Sequence, residues 1–301
     1  MINVGLIGFG RYGKKYYSHI NQNNKFRIIK ILRKNKKNSK VFTNNVEKFF
    51  QIKNIDLYII ASPTYSHFRY LNLAMKKNKN IIVEKPLVKT KEEFLKFKKN
   101  LIQYKKIILI NHTDLYFKSF LELKNKIIEI GKIKEIKLSY GKKDRYFLKN
   151  IKEITDLPFY EWLSHPLAII NFLFKQIKFK IEVKENQINK NKFLIQKLKI
   201  FFISDQIKIK LYFSNNYKQK KRNLRINGAL GSLTYRGYNK KNKFILTKKN
   251  QEINFGFKNE NSIENLLNNF IDKFYVNKFI DDRKIICKTM HQLFDISKNI
   301  K

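Results

Sequence analysis

The sequence predicts an α/β chain. A doubly wound parallel sheet over residues 1–120 is followed by an α+β part over 121–301, built on an open, mostly antiparallel sheet and ending in helices. Three observations predict this. Short apolar runs alternate with helix-like stretches through the first third. A glycine-spaced turn joins the first strand to the first helix. Beyond about residue 120 the strands follow one another directly, separated by Asn, Asp, Gly and Lys. The 301 residues suit two domains of ~100–200 residues each. With 43% hydrophobic and 14% aromatic residues, they can fill a substantial core.

Ile2–Ile7 reads as a short buried strand, and Gly8-Phe9-Gly10-Arg11-Tyr12-Gly13 follows at once, ahead of a helix through Ile20. This is G-x-G-x-x-G in the context it requires, between a strand and a helix, and three of only ten glycines fall in it. Gly8 permits the tight turn, Gly10 lets the backbone approach a pyrophosphate, and Gly13 lets the helix pack on the strand. The helix N-terminus favours the anion. The expectation is a Rossmann dinucleotide site with Phe9, Arg11 and Tyr12 beside the three glycines; the alternative is a tight turn with no ligand. A second strand, Phe26–Leu32, leads into Arg33-Lys34-Asn35-Lys36-Lys37. An NAD site usually carries Asp or Glu there for the ribose hydroxyls. Arg33 suits a 2′-phosphate instead, which turns the expectation towards NADP, with NAD open because Arg33 is also one basic residue in a basic chain.

Ile55–Ala61 is the next strand, followed by Ser62-Pro63-Thr64-Tyr65-Ser66-His67 and a helix through Lys77. Ile81–Val83 is another, with Glu84-Lys85-Pro86 at its end. Thr90-Lys91-Glu92-Glu93 has capping-box spacing, so a helix starts at Thr90, and Lys106–Asn111 is a further strand. Alternating strands and helices imply a parallel sheet, whose ligands bind at the strands' carboxyl ends. The Gly8 turn, Ser62, Pro63, His67, Glu84 and Lys85 are therefore expected around one crevice.

In the second part, 133–140, 178–183, 193–203, 206–213, 224–226, 232–236 and 244–247 read as strands, with turns such as Ser204-Asp205 and Gly237-Tyr238-Asn239. A helix over Leu163–Phe174 interrupts them. The tail from Ser262 is helical, with apolar positions at Leu266, Phe270, Phe274 and Phe279. Pro166 places His165 in the first turn of its helix, where proline is tolerated.

The charge is +42, from 65 Lys and Arg against 23 Asp and Glu, which raises nucleic acid as a partner. Against it, only nine of the basic residues are Arg, the residue suited to bidentate base and phosphate contacts. The abundance of Lys, Asn and Ile beside four Ala and four Pro follows A/T-rich codons. A solvated, compositionally drifted surface is the expectation, with no nucleic-acid partner. No apolar run reaches the ~18 residues of a membrane span, a strand begins at Ile2 where a signal peptide would stand, and the single Cys287 excludes internal disulfides. A soluble cytoplasmic protein with no membrane partner is expected. No metal is expected either, since no His, Asp and Glu grouping has ligand spacing.

These residues together resemble the Gfo/Idh/MocA oxidoreductases. The nucleotide-binding start, Ser62-Pro63-x-x-x-His67 and Glu84-Lys85-Pro86 carry the likeness, which continues through Asn111-His112-Thr113, Gly131-Lys132-Ile133 and Tyr160–His165. The resemblance implies a dehydrogenase of sugars, sugar nucleotides or polyols that holds NAD or NADP and forms dimers or tetramers through the antiparallel sheet. It places Lys85 beside the nicotinamide and the substrate carbon, and Glu84 near the nicotinamide ribose. The family's Asp-x-x-x-His segment corresponds to Glu161 and His165, with glutamate one methylene longer than the aspartate it replaces.

Chemistry supports the same roles. Oxidising an alcohol requires removal of its proton as a hydride leaves the same carbon. A lysine with an ordinary pKa of ~10.4 becomes a useful base when desolvated beside a positive ring. Lys85 is therefore expected as acid/base, His165 as its partner and Glu161 as an orienter. Tyr116, Arg145, Tyr160 and Trp162 are candidates for the pocket. Each residue also has a plainer reading: Lys85 as one lysine of many, His165 as a histidine packed by Trp162, His67 as a helix cap. A cofactor-binding sensor without catalysis is the alternative function.

Overall fold

The computed structural model describes residues 1–34, 39–190, 193–237, 244–249, 251–256, 260–276 and 282–300. The expected features at Asn35, Lys36 and Lys37, at Tyr238 and Asn239, and at Phe279 lie outside the described residues. The chain falls into two compact units, residues 1–112 with 263–287, and residues 113–262 with 288–301.

The first unit is built on β1 (Ile2–Ile7), α1 (Arg11–Asn21), β2 (Phe26–Leu32), β3 (Phe42–Thr43), α2 (Val46–Gln51), β4 (Leu57–Ile60), α3 (His67–Lys76), β5 (Asn80–Val83), α4 (Lys91–Gln103) and β6 (Ile108–Ile110). The strands form one sheet in the order β3-β2-β1-β4-β5-β6, and every pairing is parallel. Strand order reverses at β1, so the crevice beyond its carboxyl end is the place where such sheets take ligands. All four residues of β4 and of β5 are buried, as expected of strands covered on both faces. Thr90 caps α4 in a full capping box with Glu93. Phe270 of α7 (Ser262–Val276) lies 6.4 Å from Phe26, so this part of the tail adds to the first unit's core.

The second unit carries α5 (Lys118–Lys126), β7 (Ile133–Gly141), α6 (Pro158–Leu173), β8 (Lys180–Lys190), β9 (Leu194–Ile203), β10 (Lys208–Ser214), β11 (Lys221–Gly228), β12 (Ser232–Arg236), β13 (Phe244–Lys248) and β14 (Gln251–Phe255). The eight strands run in the order β14-β13-β12-β11-β7-β10-β9-β8. All pairings are antiparallel except β10 with β7. Alternating burial along β9 and β10 shows one face packed and one open. The C-terminal part of α8 (Asp282–Lys298) joins this unit, where Asn171 of α6 donates to Gln292 at 2.8 Å and to Thr289 at 3.2 Å.

One expectation is corrected. Helix α6 begins at Pro158, which occupies the first-turn position, and Pro166 lies inside the helix. His165 is therefore two turns in rather than at the entry. The first-turn preference for proline is met by Pro158, and Pro166 leaves one helical carbonyl without its usual donor.

Candidate functional site

In the first unit the glycine turn is fixed by close backbone approach. Gly8 has φ +93°, and a Cβ there would stand 2.6 Å from the Ala61 carbonyl oxygen. A Cβ on Gly13 would stand 2.2 Å from the Gly8 carbonyl oxygen. Gly10 differs: a Cβ there meets nothing within 4 Å. The residues between them brace the turn. Phe9 lies edge-on to Tyr17 at 5.5 Å and to Phe42 at 5.2 Å, and the Arg11 guanidinium sits 5.1 Å above the Tyr12 ring. Arg33, just past β2, is exposed, and its backbone N–H donates to Thr43.

Two further segments join this turn. His67, only 1% exposed, has Nε2 2.8 Å from the Ser62 carbonyl oxygen and Nδ1 2.9 Å from that of Pro86. Burial holds its pKa below the ordinary value, against the pull of the Ser62, Pro86 and Leu87 carbonyls and of Glu93. It thus ties the loop after β4 to the loop after β5. The Ser62 and Ser66 hydroxyls share a hydrogen bond of 2.7 Å. Pro63 closes the turn before His67, accepting from the Ser66 hydroxyl at 2.7 Å, and the Lys85–Pro86 peptide is cis.

Glu84 is 7% exposed. It accepts from the Tyr16 hydroxyl at 3.1 Å and from Asn111 Nδ2 at 2.8 Å, so α1, β5 and β6 are joined behind the turn. Burial raises its pKa, opposed by the Asn111 bond, the Lys85 charge and the Tyr16 bond. His112 is pushed down to about 3 by burial and then by Lys85. The half-buried Lys85 is therefore felt at both neighbours. Asn111 Oδ1 is buried with no hydrogen-bond partner among the described residues.

The fit to a dinucleotide can be tested on these features. The open space in front of Gly10 is a cradle that any side chain would fill, and Asn111 Oδ1 is a buried acceptor with a place for a donor. Both suit a dinucleotide, whose phosphates need close backbone and whose carboxamide carries N–H donors.

In the second unit, Glu161 and His165 are four residues apart on α6, on one face. Glu161 is exposed and accepts from the Tyr146 hydroxyl at 2.9 Å. Burial raises the Tyr146 pKa, and Glu161 adds to it. His165 is buried, with Nε2 3.4 Å from Arg222 Nη2. Arg222 Nη1 is 3.4 Å from Asp114 Oδ2, and the Tyr235 hydroxyl donates to Asp114 Oδ1 at 3.0 Å. Of the pocket candidates, Tyr160 is buried 6.0 Å from Phe294, Arg145 stacks on Phe193 at 5.2 Å and Lys142 lies 6.0 Å over Trp162. Asp114, Arg222 and Tyr235 escaped the sequence reading; the signal available for Arg222 was its being one of nine arginines in a lysine-rich chain.

Among the described residues, no three His, Cys, Asp or Glu gather as a metal site would require. No described helix is long and apolar enough to cross a membrane.

Residues 2–112 match the family model described as oxidoreductase family, NAD-binding Rossmann fold, the Gfo/Idh/MocA group. The uncharacterized oxidoreductase YhhX of Escherichia coli is 27% identical over 150 residues, which span 45% of this chain and 42% of that protein. The match thus reaches less than half the length of this curated relative. Among solved structures, UDP-N-acetylglucosamine 3-dehydrogenase GnnA from Acidithiobacillus ferrooxidans superposes with a TM-score of 0.81 at 12% identity, covering 99% of this chain and 97% of that one. Biliverdin reductase from Synechocystis, in complex with biliverdin and NADP+, gives 0.76 at 13% identity, covering 99% and 98%. At such identities these likenesses concern the fold.

Proposed function

We propose, from the chain's membership of the Gfo/Idh/MocA oxidoreductase family through its NAD-binding Rossmann domain, that it transfers a hydride between NAD or NADP and a hydroxyl or keto carbon of a sugar, sugar nucleotide or polyol. The observation that carries this reading is the open cradle at Gly10 at the end of the parallel sheet, with Glu84 and Lys85 at the end of β5. GnnA, with the same fold, acts on a sugar nucleotide by its name, which supports that substrate class. The basic surface suits its phosphates.

A bound nicotinamide supplies the hydride acceptor or donor. The protein's residues do the rest. The backbone of Gly8–Gly13, with Phe9, Arg11 and Tyr12, holds the pyrophosphate, and Arg33 meets a 2′-phosphate when NADP is bound. Ser62 and Pro63 line the cofactor, and His67 supports them from behind through its contacts with the Ser62 and Pro86 carbonyls. Glu84 faces the ribose, its carboxyl held in place by Tyr16 and Asn111. Lys85 Nζ takes or returns the substrate hydroxyl proton. His165 partners that proton and Glu161 orients the substrate's hydroxyls. We further assign the open sheet face to self-association as a dimer or tetramer.

The test is to denature the purified protein, identify any released cofactor, and titrate NAD(H) against NADP(H). Turnover of UDP-N-acetylglucosamine and a polyol panel follows, with Lys85→Met as the variant. Tight binding with turnover lost in Lys85→Met is expected. Binding without turnover on the panel would favour a cofactor-dependent sensor. Binding of neither cofactor would leave the Gly8–Gly13 turn as architecture and overturn the reading.

A further inference from the structure

We infer that Arg222, anchored by Asp114, is a positioning residue that fixes His165 as the neutral imidazole protonated on Nδ1. The inference rests on the assignment of His165 to the substrate's proton. Arg222 Nη2 lies 3.4 Å from His165 Nε2. A guanidinium has donors only and keeps its charge throughout the working pH range. A proton on Nε2 would set donor against donor, and a doubly protonated ring would set cation against cation. The arrangement therefore favours the lone pair on Nε2 and the proton on Nδ1.

The guanidinium is held where this requires. Asp114 is 1% and Arg222 12% exposed at the side chain, so each charge needs the other for burial to be tolerated. Tyr235 donates to the second Asp114 oxygen at 3.0 Å, taking up a lone pair that Arg222 does not reach. Gly237 leaves the room: a Cβ there would stand 3.0 Å from Arg222 Cβ and 3.2 Å from Asp114 Oδ1. Its N–H also donates to the Arg222 carbonyl at 2.8 Å. Such a supporting shell is how an enzyme fixes the tautomer of a working histidine.

The consequence lies in what the ring can do. With its lone pair committed to Arg222, His165 offers a donor, suited to polarising a keto oxygen.

The experiment is a long-range ¹H–¹⁵N correlation spectrum of the full-length labelled protein at pH 7. The chain's five histidines keep it readable, and loss of one ring in His165→Gln assigns the signal. The expected wild-type ring is neutral, with a pyridine-like Nε2 and a pyrrole-like Nδ1. In Arg222→Met the two tautomers should mix, and turnover of UDP-N-acetylglucosamine should fall roughly ten- to hundredfold, the scale of a displaced catalytic group. Arg222→Lys, which keeps a donor and the charge, should recover part of both. A pyrrole-like Nε2 or a cationic ring in the wild type would overturn the inference, as would an unchanged tautomer in Arg222→Met. The wild-type spectrum decides this even where the Met variant does not fold. Normal turnover in His165→Asn beside the expected tautomer would overturn the His165 assignment instead, so the two failures are distinguishable.

Discussion

A Cβ on Gly13 would stand 2.2 Å from the carbonyl oxygen of Gly8, whereas one on Gly10 touches nothing within 4 Å. Two glycines three residues apart are thus required for different reasons. Gly13→Ala forces backbone apart and should cost about 1–3 kcal/mol or more, read as a lower urea midpoint. Gly10 has φ −78°, open to any residue, and caps α1, so Gly10→Ala should cost about 1 kcal/mol at most. That variant should fold normally and bind NAD(P)H at least tenfold more weakly in a fluorescence titration. Equal binding by Gly10→Ala and wild type would remove the pyrophosphate from this turn.

Glu84 makes a linked prediction about pH. Burial raises its folded pKa above the ordinary 4.5, so between those values the folded state binds more protons than the unfolded one. Stability contributed by this carboxyl is fully present below about 4.5 and is lost as pH rises through the raised folded value. Gln at 84 keeps an oxygen for Tyr16 and Asn111 without the charge. Unfolding free energies across pH 5 to 8 should therefore fall less with pH in Glu84→Gln than in the wild type. A parallel pair of curves would mean that the carboxyl is not desolvated.

The parts legible in the sequence were those whose signal is local. The continuous apolar runs of β4 and β5 are fully buried strands, and Thr90 with Glu93 forms the capping box that their spacing implies. Elements without an apolar pattern were illegible. Four of the five residues of β14 are exposed, and β8 runs on through Lys184–Lys190, polar but for Ile188, held by pairing with β9. Helix α2 carried one readable mark, Asn45 accepting from Lys48 N–H at 2.8 Å, but its six residues are too few for a periodicity. The glycine turn and Glu84-Lys85 could be found because each sits next to the strand that positions it. The Asp114–Arg222 pair could not, since 108 residues separate its members and Asp114 lies in a short turn, Thr113–Tyr116, outside the sheet that carries Arg222.

His112 predicts an acid-labile first unit. Burial and Lys85 hold its pKa at about 3, against an ordinary 6.5 in the unfolded chain. Between those values the unfolded state takes up a proton that the folded one refuses, so stability rises with pH across this window and is lost on acidification. At 1.36 kcal/mol per pKa unit, the full window amounts to about 5 kcal/mol. His112→Leu should narrow the gap in unfolding free energy between pH 7 and pH 5. An unaltered gap would show that the ring protonates in the folded protein.

Arg33 carries a prediction about the choice of cofactor. It stands where a carboxylate would bind the ribose hydroxyls of NAD, and its side chain is exposed. A charge-assisted contact with a 2′-phosphate is worth about 1.5–3 kcal/mol, or roughly ten- to a hundredfold in affinity. Arg33→Asp should lose that much for NADPH while keeping or improving its hold on NADH. The contact is one between charges, so the wild-type preference for NADPH should shrink as salt is raised. Equal NADPH binding by both proteins would leave Arg33 as one more solvated cation and shift the expectation to NAD.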